Sequence, residues 1–177
     1  MAFPRPKKLY TEDELYSYAL NALARRMRSV AELKRLLRRR VEAETELGDT
    51  LVELIVRRLK DQGYLNDTRY AAAYSSYRRD NEKFGVRRVV TDLKAKGVHG
   101  EVIDSAISST YSEVDDERQA RDYLRRKRLH KPKDQKETAR IFRHLMRAGF
   151  GPKTIFTILK RWDIDEEVLT GLESECD

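Results

Sequence analysis

The chain has 177 residues, 37 Lys and Arg against 30 Asp and Glu, and a formal net charge of +7. The charged fraction of 38%, with only 8 Gly and 4 Pro, lies well above the roughly 25% of ordinary proteins and favours helices with few breaks in one large or two small domains. Cys176, the one cysteine, excludes an internal disulfide, and no charged-then-apolar leader or long apolar run occurs, so the expectation is a soluble cytoplasmic monomer with no membrane contact and an anionic partner.

Residues 1–10, with Pro4, Arg5, Pro6, Lys7 and Lys8, read as a basic flexible arm, because proline breaks a helix there. Thr11 with Glu14 forms a capping box ahead of Leu15, Tyr18, Ala19, Ala22 and Leu23, which predicts a helix to about Arg26. Ser29 with Glu32 repeats the box, and Val30, Leu33, Leu36 and Leu37 carry a second helix to about Arg40. A connector over 41–48 leads to Asp49, a candidate cap for a third helix with Leu51, Leu54, Ile55 and Leu59 inward and Gly63 at its end. These helices make a first three-helix unit, 11–66.

The second unit, 67–111, starts at Asp67 as N-cap, with Tyr70, Ala71, Tyr74 and Tyr77 on one helix face. Gly85 separates it from Val86, Val89, Val90 and Leu93, Gly97 stops that helix, and Val102, Ile103, Ala106 and Ile107 form the next. The third unit, 112–163, opens on acidic residues suited to a helix start, with Ala120, Tyr123 and Leu124 inward and Lys131-Pro132 as the stop. Asp134 with Glu137 begins a helix bearing Ile141, Phe142, Leu145 and Met146, and Gly151-Pro152 opens another bearing Ile155, Ile158, Leu159 and Trp162. Residues 164–177 form an acidic tail, with a short amphipathic turn around Val168, Leu169 and Leu172.

Leu93 to Ile107, LKAKGVHGEVIDSAI, is echoed by LMRAGFGPKTIFTIL from Leu145 to Leu159, which aligns Gly97 with Gly149 and Ile103 with Ile155. A register of about fifty residues is typical of helical arrays, whose extended faces suit extended partners. The expected fold is therefore all-α: three tandem three-helix repeats forming an elongated, curved array.

Several short motifs then carry a resemblance. Ala19 to Arg26 (ALNALARR) followed by Ser29 and Glu32-Leu33, then Gly63 to Asp67 (GYLND) with Tyr70-Ala71 and Tyr74, and Gly85 with Arg88 and Leu93, resemble the RecX family. The resemblance implies tandem three-helix repeats and a regulator of the recombinase RecA. Such a protein would bind the helical groove of the RecA filament on single-stranded DNA and limit filament growth, ATP hydrolysis, strand exchange and the SOS response. The chain departs from the family pattern in the Arg40 to Gly48 connector, the basic arm and the acidic tail.

Candidate contact residues come from charge spacing. Lys136, Arg140, Arg143 and Arg147 fall at i, i+4, i+7 and i+11, and Arg118, Arg121, Arg125 and Arg128 form a similar stripe one helix earlier. Lys34, Arg35, Arg38, Arg39 and Arg40 crowd a helix C-terminus, with Arg25, Arg26 and Arg28 nearby. Such stripes suit phosphates or carboxylates, which Arg binds bidentately; the competing reading is a solvated helix face or a favoured helix end. The GYLND motif reads as structural capping, and Tyr70, Tyr74 and Tyr77 as core in preference to a base-stacking strip. His99, His130 and His144 lack metal-site spacing and no catalytic motif occurs, so no cofactor and no enzyme activity are expected, against a minor metal-dependent hydrolase reading. Single-stranded DNA is an expected partner directly or through the filament, and the alternative to a RecA-filament partner is a helical DNA-binding protein that acts through phosphate contacts without a recombinase.

Overall fold

A computed structural model of the protein describes residues 11–41, 46–164 and 170–171. Among them are nine helices and no strand: α1 (Glu12–Arg25), α2 (Val30–Arg38), α3 (Glu46–Asp61), α4 (Asp67–Asp80), α5 (Val86–Ala95), α6 (Gly100–Tyr111), α7 (Asp116–Arg126), α8 (Gln135–Arg147) and α9 (Pro152–Lys160). The chain is all-α, as its periodicity predicts, and no helix among the described residues is long and apolar enough to cross a membrane. The expected basic arm, most of the connector, Cys176 and the amphipathic turn around Val168, Leu169 and Leu172 lie outside the described residues.

Local signals start the helices. Thr11 accepts from the Glu14 N–H at 3.3 Å to open α1, and Ser29 and Glu32 form a reciprocal capping box on α2. Asp115 accepts from two backbone N–H groups at the start of α7, Asp134 accepts from the Glu137 N–H at 2.7 Å at the start of α8, and Pro152 opens α9 where a missing N–H costs nothing.

The chain divides into two compact units, one of residues 1–71 with 94–102 and the other of 72–93 with 103–177. The first has a core of Leu15 and Ala19 from α1, Leu33 and Leu37 from α2, and Val52, Ile55, Val56 and Leu59 from α3. In the second, Tyr123 and Leu124 of α7, Phe142 and Leu145 of α8, and Ile155, Ile158 and Leu159 of α9 close around Phe150. The Tyr123 ring meets Phe150 edge-on at 5.9 Å, a favourable aromatic geometry.

Five sequence expectations need correction. Helix α3 begins at Glu46, so Asp49 lies inside its first turn. Its inward stripe is Val52, Ile55, Val56 and Leu59, while Leu54 is 46% exposed. Asp67 does not cap its own helix: Asn66 accepts from the Arg69 N–H at 2.9 Å, and the Asp67 carboxylate accepts from the Val30 N–H of α2 at 2.8 Å. Tyr77 is 55% exposed, off the buried face that Tyr70 occupies. Helix α7 ends at Arg126, ahead of Lys131-Pro132, and leaves Arg128 beyond it at a φ of 54°.

One joint is built twice. In the first unit the Ser29 hydroxyl, just before α2, donates to the Lys96 carbonyl at 2.6 Å, and a side chain at Gly97 would meet the Ala31 Cβ at 2.5 Å. In the second unit the Gly85 N–H, just before α5, donates to the Ala148 carbonyl at 2.9 Å, and Gly149 abuts the backbone of Gly85 and Arg88. Each time the start of one helix takes up a carbonyl left over at the end of another, a group that would otherwise be unsatisfied. The echo of Gly97 with Gly149 is thus an echo of contacts as well as of helix ends.

Candidate partner-binding surfaces

In the first unit, α2 is anchored through Glu32. Its carboxylate accepts from the Ser29 N–H at 3.2 Å, the Tyr70 hydroxyl at 3.2 Å and the Lys96 ammonium at 3.1 Å. Burial pushes the carboxyl pKa up, but the Ser29 bond, Lys96 and the Tyr70 bond together outweigh it and hold the group below its ordinary value. A carboxyl with a depressed folded pKa adds stability above its unfolded pKa and loses it as pH falls through the folded value. Glu32→Gln is therefore expected to shrink the stability difference between about pH 7 and about pH 3, read as urea midpoints at each pH. The same pH dependence in both proteins would remove Glu32 from the acid limb.

Around this anchor the candidate basic residues of the first unit divide into those with and those without a carboxylate or ring partner among the described residues. Lys34 pairs with Glu53 at 2.6 Å, Arg38 pairs with Asp49 at 2.9 Å, and Arg40 lies over the Tyr18 ring at 4.4 Å. Arg28 donates to the Ala22 carbonyl at 3.3 Å and Arg35 to the Ala31 carbonyl at 3.3 Å, neutral partners that leave their charge uncompensated. A concavity of about 300 Å³ brings Arg26, Arg28, Arg35 and Arg39 together over Leu36, and Glu32 in its wall already holds Lys96. Arg25 is exposed at the end of α1, outside this lining.

The two stripes of the second unit differ in the same way. On α7, Arg118 is exposed, Arg121 pairs with Glu117 at 3.4 Å, and Arg125 pairs with Asp122. On α8, Lys136, Arg140, Arg143 and Arg147 are all exposed, opposite the buried Ile141, Phe142 and Leu145, and none pairs with a carboxylate among the described residues. His144, between Arg140 and Arg147, registers that charge. Burial, then Arg147, Arg140 and Lys127, hold its pKa below the ordinary histidine value, so its ring is neutral at neutral pH.

Helices α7 and α8 each pack against α9. One member of each stripe is brought together: Arg128 and Arg140 share the wall of a hollow of about 250 Å³ with Lys131 and Lys133. Sequence reasoning did not single out Arg161, which pairs with Glu117 at 2.7 Å, and placed Trp162 in the core. Trp162 lies past the end of α9 and is only partly buried. Arg161 forms only a pair with Lys160, without basic residues at the helical spacings of a stripe, so a search for basic stripes passes over it. Among the described residues no group of three or more His, Cys, Asp or Glu is placed to hold a metal ion.

Comparison with known proteins gives a consistent result. Residues 66–107 match a family model described as the second three-helix domain of RecX. The chain is 32% identical over 167 residues to the regulatory protein RecX of Deinococcus radiodurans, covering 90% of this chain and 75% of that one. It is 34% identical over 149 residues to the regulatory protein RecX of Pseudomonas tolaasii, covering 84% and 91%. The fold is similar to a crystal structure of RecX from Lactobacillus salivarius, with a TM-score of 0.63 and 21% identity over 86% of this chain and 96% of that one. With relatives above 30% identity matched over most of their length, the chain belongs to the RecX family of regulatory proteins.

Proposed function

We propose that this protein is a non-enzymatic inhibitor of the RecA recombinase, which binds in the helical groove of the filament on single-stranded DNA and limits its growth, ATP hydrolysis and strand exchange. The observation that carries this reading is kinship over most of the chain with proteins named as regulators. The α8 stripe supplies a matching surface. Lys136, Arg140, Arg143 and Arg147 are exposed, uncompensated and mounted on a buried core, so their charge is available to an anionic partner without first breaking internal pairs. Arg25, Arg26, Arg28, Arg35 and Arg39 form a second contact region, whereas Lys34, Arg38, Arg121 and Arg125 must first release a carboxylate. Helices α1–α3, α4–α6 and α7–α9 are its three repeats.

The test is titration of the protein into preformed RecA filaments while ATP hydrolysis on single-stranded DNA and filament length are followed. Both should fall at stoichiometric amounts; no change at excess sinks the proposal. A plain phosphate-binding protein would instead bind naked DNA tightly, with log affinity falling by roughly 0.7 to 0.9 per phosphate contacted for each decade of salt.

A further inference from the structure

Between α7 and α9 lies a pocket of about 320 Å³. The apolar part of its lining comes from Leu124, Leu129, Ile158 and Trp162, and His130 also lines it. The volume is at the lower end of ligand sites, roughly 300–1,000 Å³, and suits one large apolar side chain with the backbone that carries it. The mouth is cationic. Arg121 and Arg161 share the single carboxylate of Glu117, Arg125 holds Asp122, and Arg128 has no carboxylate partner among the described residues. Four guanidiniums therefore face two carboxylates, and the two acids already demonstrate the pairing that an incoming carboxylate would make.

The turns that frame the pocket both hold a non-glycine residue at positive φ. Helices α3, α5 and α8 are followed by Gly63, Gly97 and Gly149 at positive φ, but the turns after α7 and α9 place Arg128 at a φ of 54° and Asp163 at 59°. Left-handed backbone is unfavourable for any residue with a side chain. Lys131 pairs with Asp163 at 2.8 Å and ties the two turns together. Like Lys83 after α4, at a φ of 58°, these two turns keep charged side chains where α3, α5 and α8 use glycine, and Arg128 lines the pocket.

We propose that this pocket is a docking site for a peptide segment that carries one apolar anchor residue flanked by carboxylates. The aliphatic floor accepts the anchor and the cation excess at the rim accepts the acids. A nucleobase is a poorer occupant: it gains most from stacking on aromatic faces, and three of the four floor residues are aliphatic. The site uses no residue of α8; it shares Arg121, Arg125 and Arg128 with the α7 stripe, but its test contains no recombinase and is read separately from the filament reading.

Trp162 is the only tryptophan and forms part of the floor, so its emission reports occupancy. The full chain would be titrated with a synthetic peptide bearing a central leucine flanked on both sides by aspartate and glutamate. A saturable change in Trp162 emission is expected, and it should vanish when the leucine is replaced by serine or the acids by their amides. Arg128→Gly separates function from folding. It relieves the left-handed turn, so the melting temperature should hold or rise, while peptide affinity falls about tenfold or more through loss of a charge-assisted bond. No saturable change, an equally charged oligothymidylate binding as tightly with the same change, or undiminished peptide binding by the glycine variant would each overturn the proposal.

Discussion

Gly149→Ala is expected to destabilise the second unit by roughly 2–5 kcal/mol, the sum of a left-handed penalty of roughly 1–2 and an overpacking penalty of roughly 1–3. Gly149 has a φ of 92°, and a Cβ there would sit 2.3 Å from the Arg88 nitrogen and 2.8 Å from the Gly85 carbonyl oxygen. Backbone atoms held by the Gly85-to-Ala148 hydrogen bond of 2.9 Å cannot give way as the end of a flexible side chain does. Gly63 supplies the control. Its φ is 74°, but a Cβ there meets nothing within 4 Å, so Gly63→Ala bears the left-handed penalty alone, roughly 1–2 kcal/mol. Urea unfolding followed by Trp162 emission measures the first loss in its own unit, and far-ultraviolet circular dichroism measures the second. Equal losses at the two glycines would mean that the Gly85–Gly149 crossing is looser than its distances.

That contrast marks where the sequence stops being informative. Positive φ after a helix was legible at Gly63, Gly97 and Gly149, since glycine at a helix end has a local cause. What each glycine touches was not, because Ala31 and Arg88 lie more than sixty residues away along the chain. Asp67 shows the same limit: its residue type announces a cap, but the N–H it satisfies belongs to Val30. In α3 the ambiguity is of another kind. Leu51, Val52, Leu54, Ile55 and Val56 are apolar almost all round, so helical spacing alone admits two inward faces. Packing against α1 and α2 selects the face with Val52 and Val56 and turns Leu54 outward.

The candidate surfaces were legible in position but not in availability. Every predicted cation of α8 is exposed, as its spacing from Phe142 and Leu145 requires. The difference between α7 and α8 was present in the sequence as acidic neighbours: Glu117 and Asp122 sit three or four residues from Arg121 and Arg125, the separation at which helix side chains pair. Helix α8 offers only Glu137, whose carboxylate accepts from the Lys133 N–H at 2.8 Å. Arg128 misled because the stripe was extended past the true helix end, and the left-handed turn places it at the pocket mouth.

Reversing Arg140, Arg143 and Arg147 to glutamate is expected to raise the concentration needed for half-inhibition of the RecA filament by about 100-fold. If each exposed contact contributes about 1 kcal/mol, the upper end for an exposed ion pair, three of them amount to about two decades in affinity. Stability should move by less than about 0.5 kcal/mol per site, because all three side chains are exposed and break no ion pair among the described residues. His144 gives an internal check. Arg147 and Arg140 both help to hold its pKa down, so their reversal should raise it, which nuclear magnetic resonance titration of the imidazole reads in the folded protein. The matched control reverses Arg121 and Arg125, which already engage Glu117 and Asp122; weaker loss of inhibition is expected there, since less free charge is removed. An α8 variant with a raised His144 pKa and undiminished inhibition would retire the stripe as the filament contact and move the search to the Arg26, Arg28, Arg35 and Arg39 concavity of the first unit.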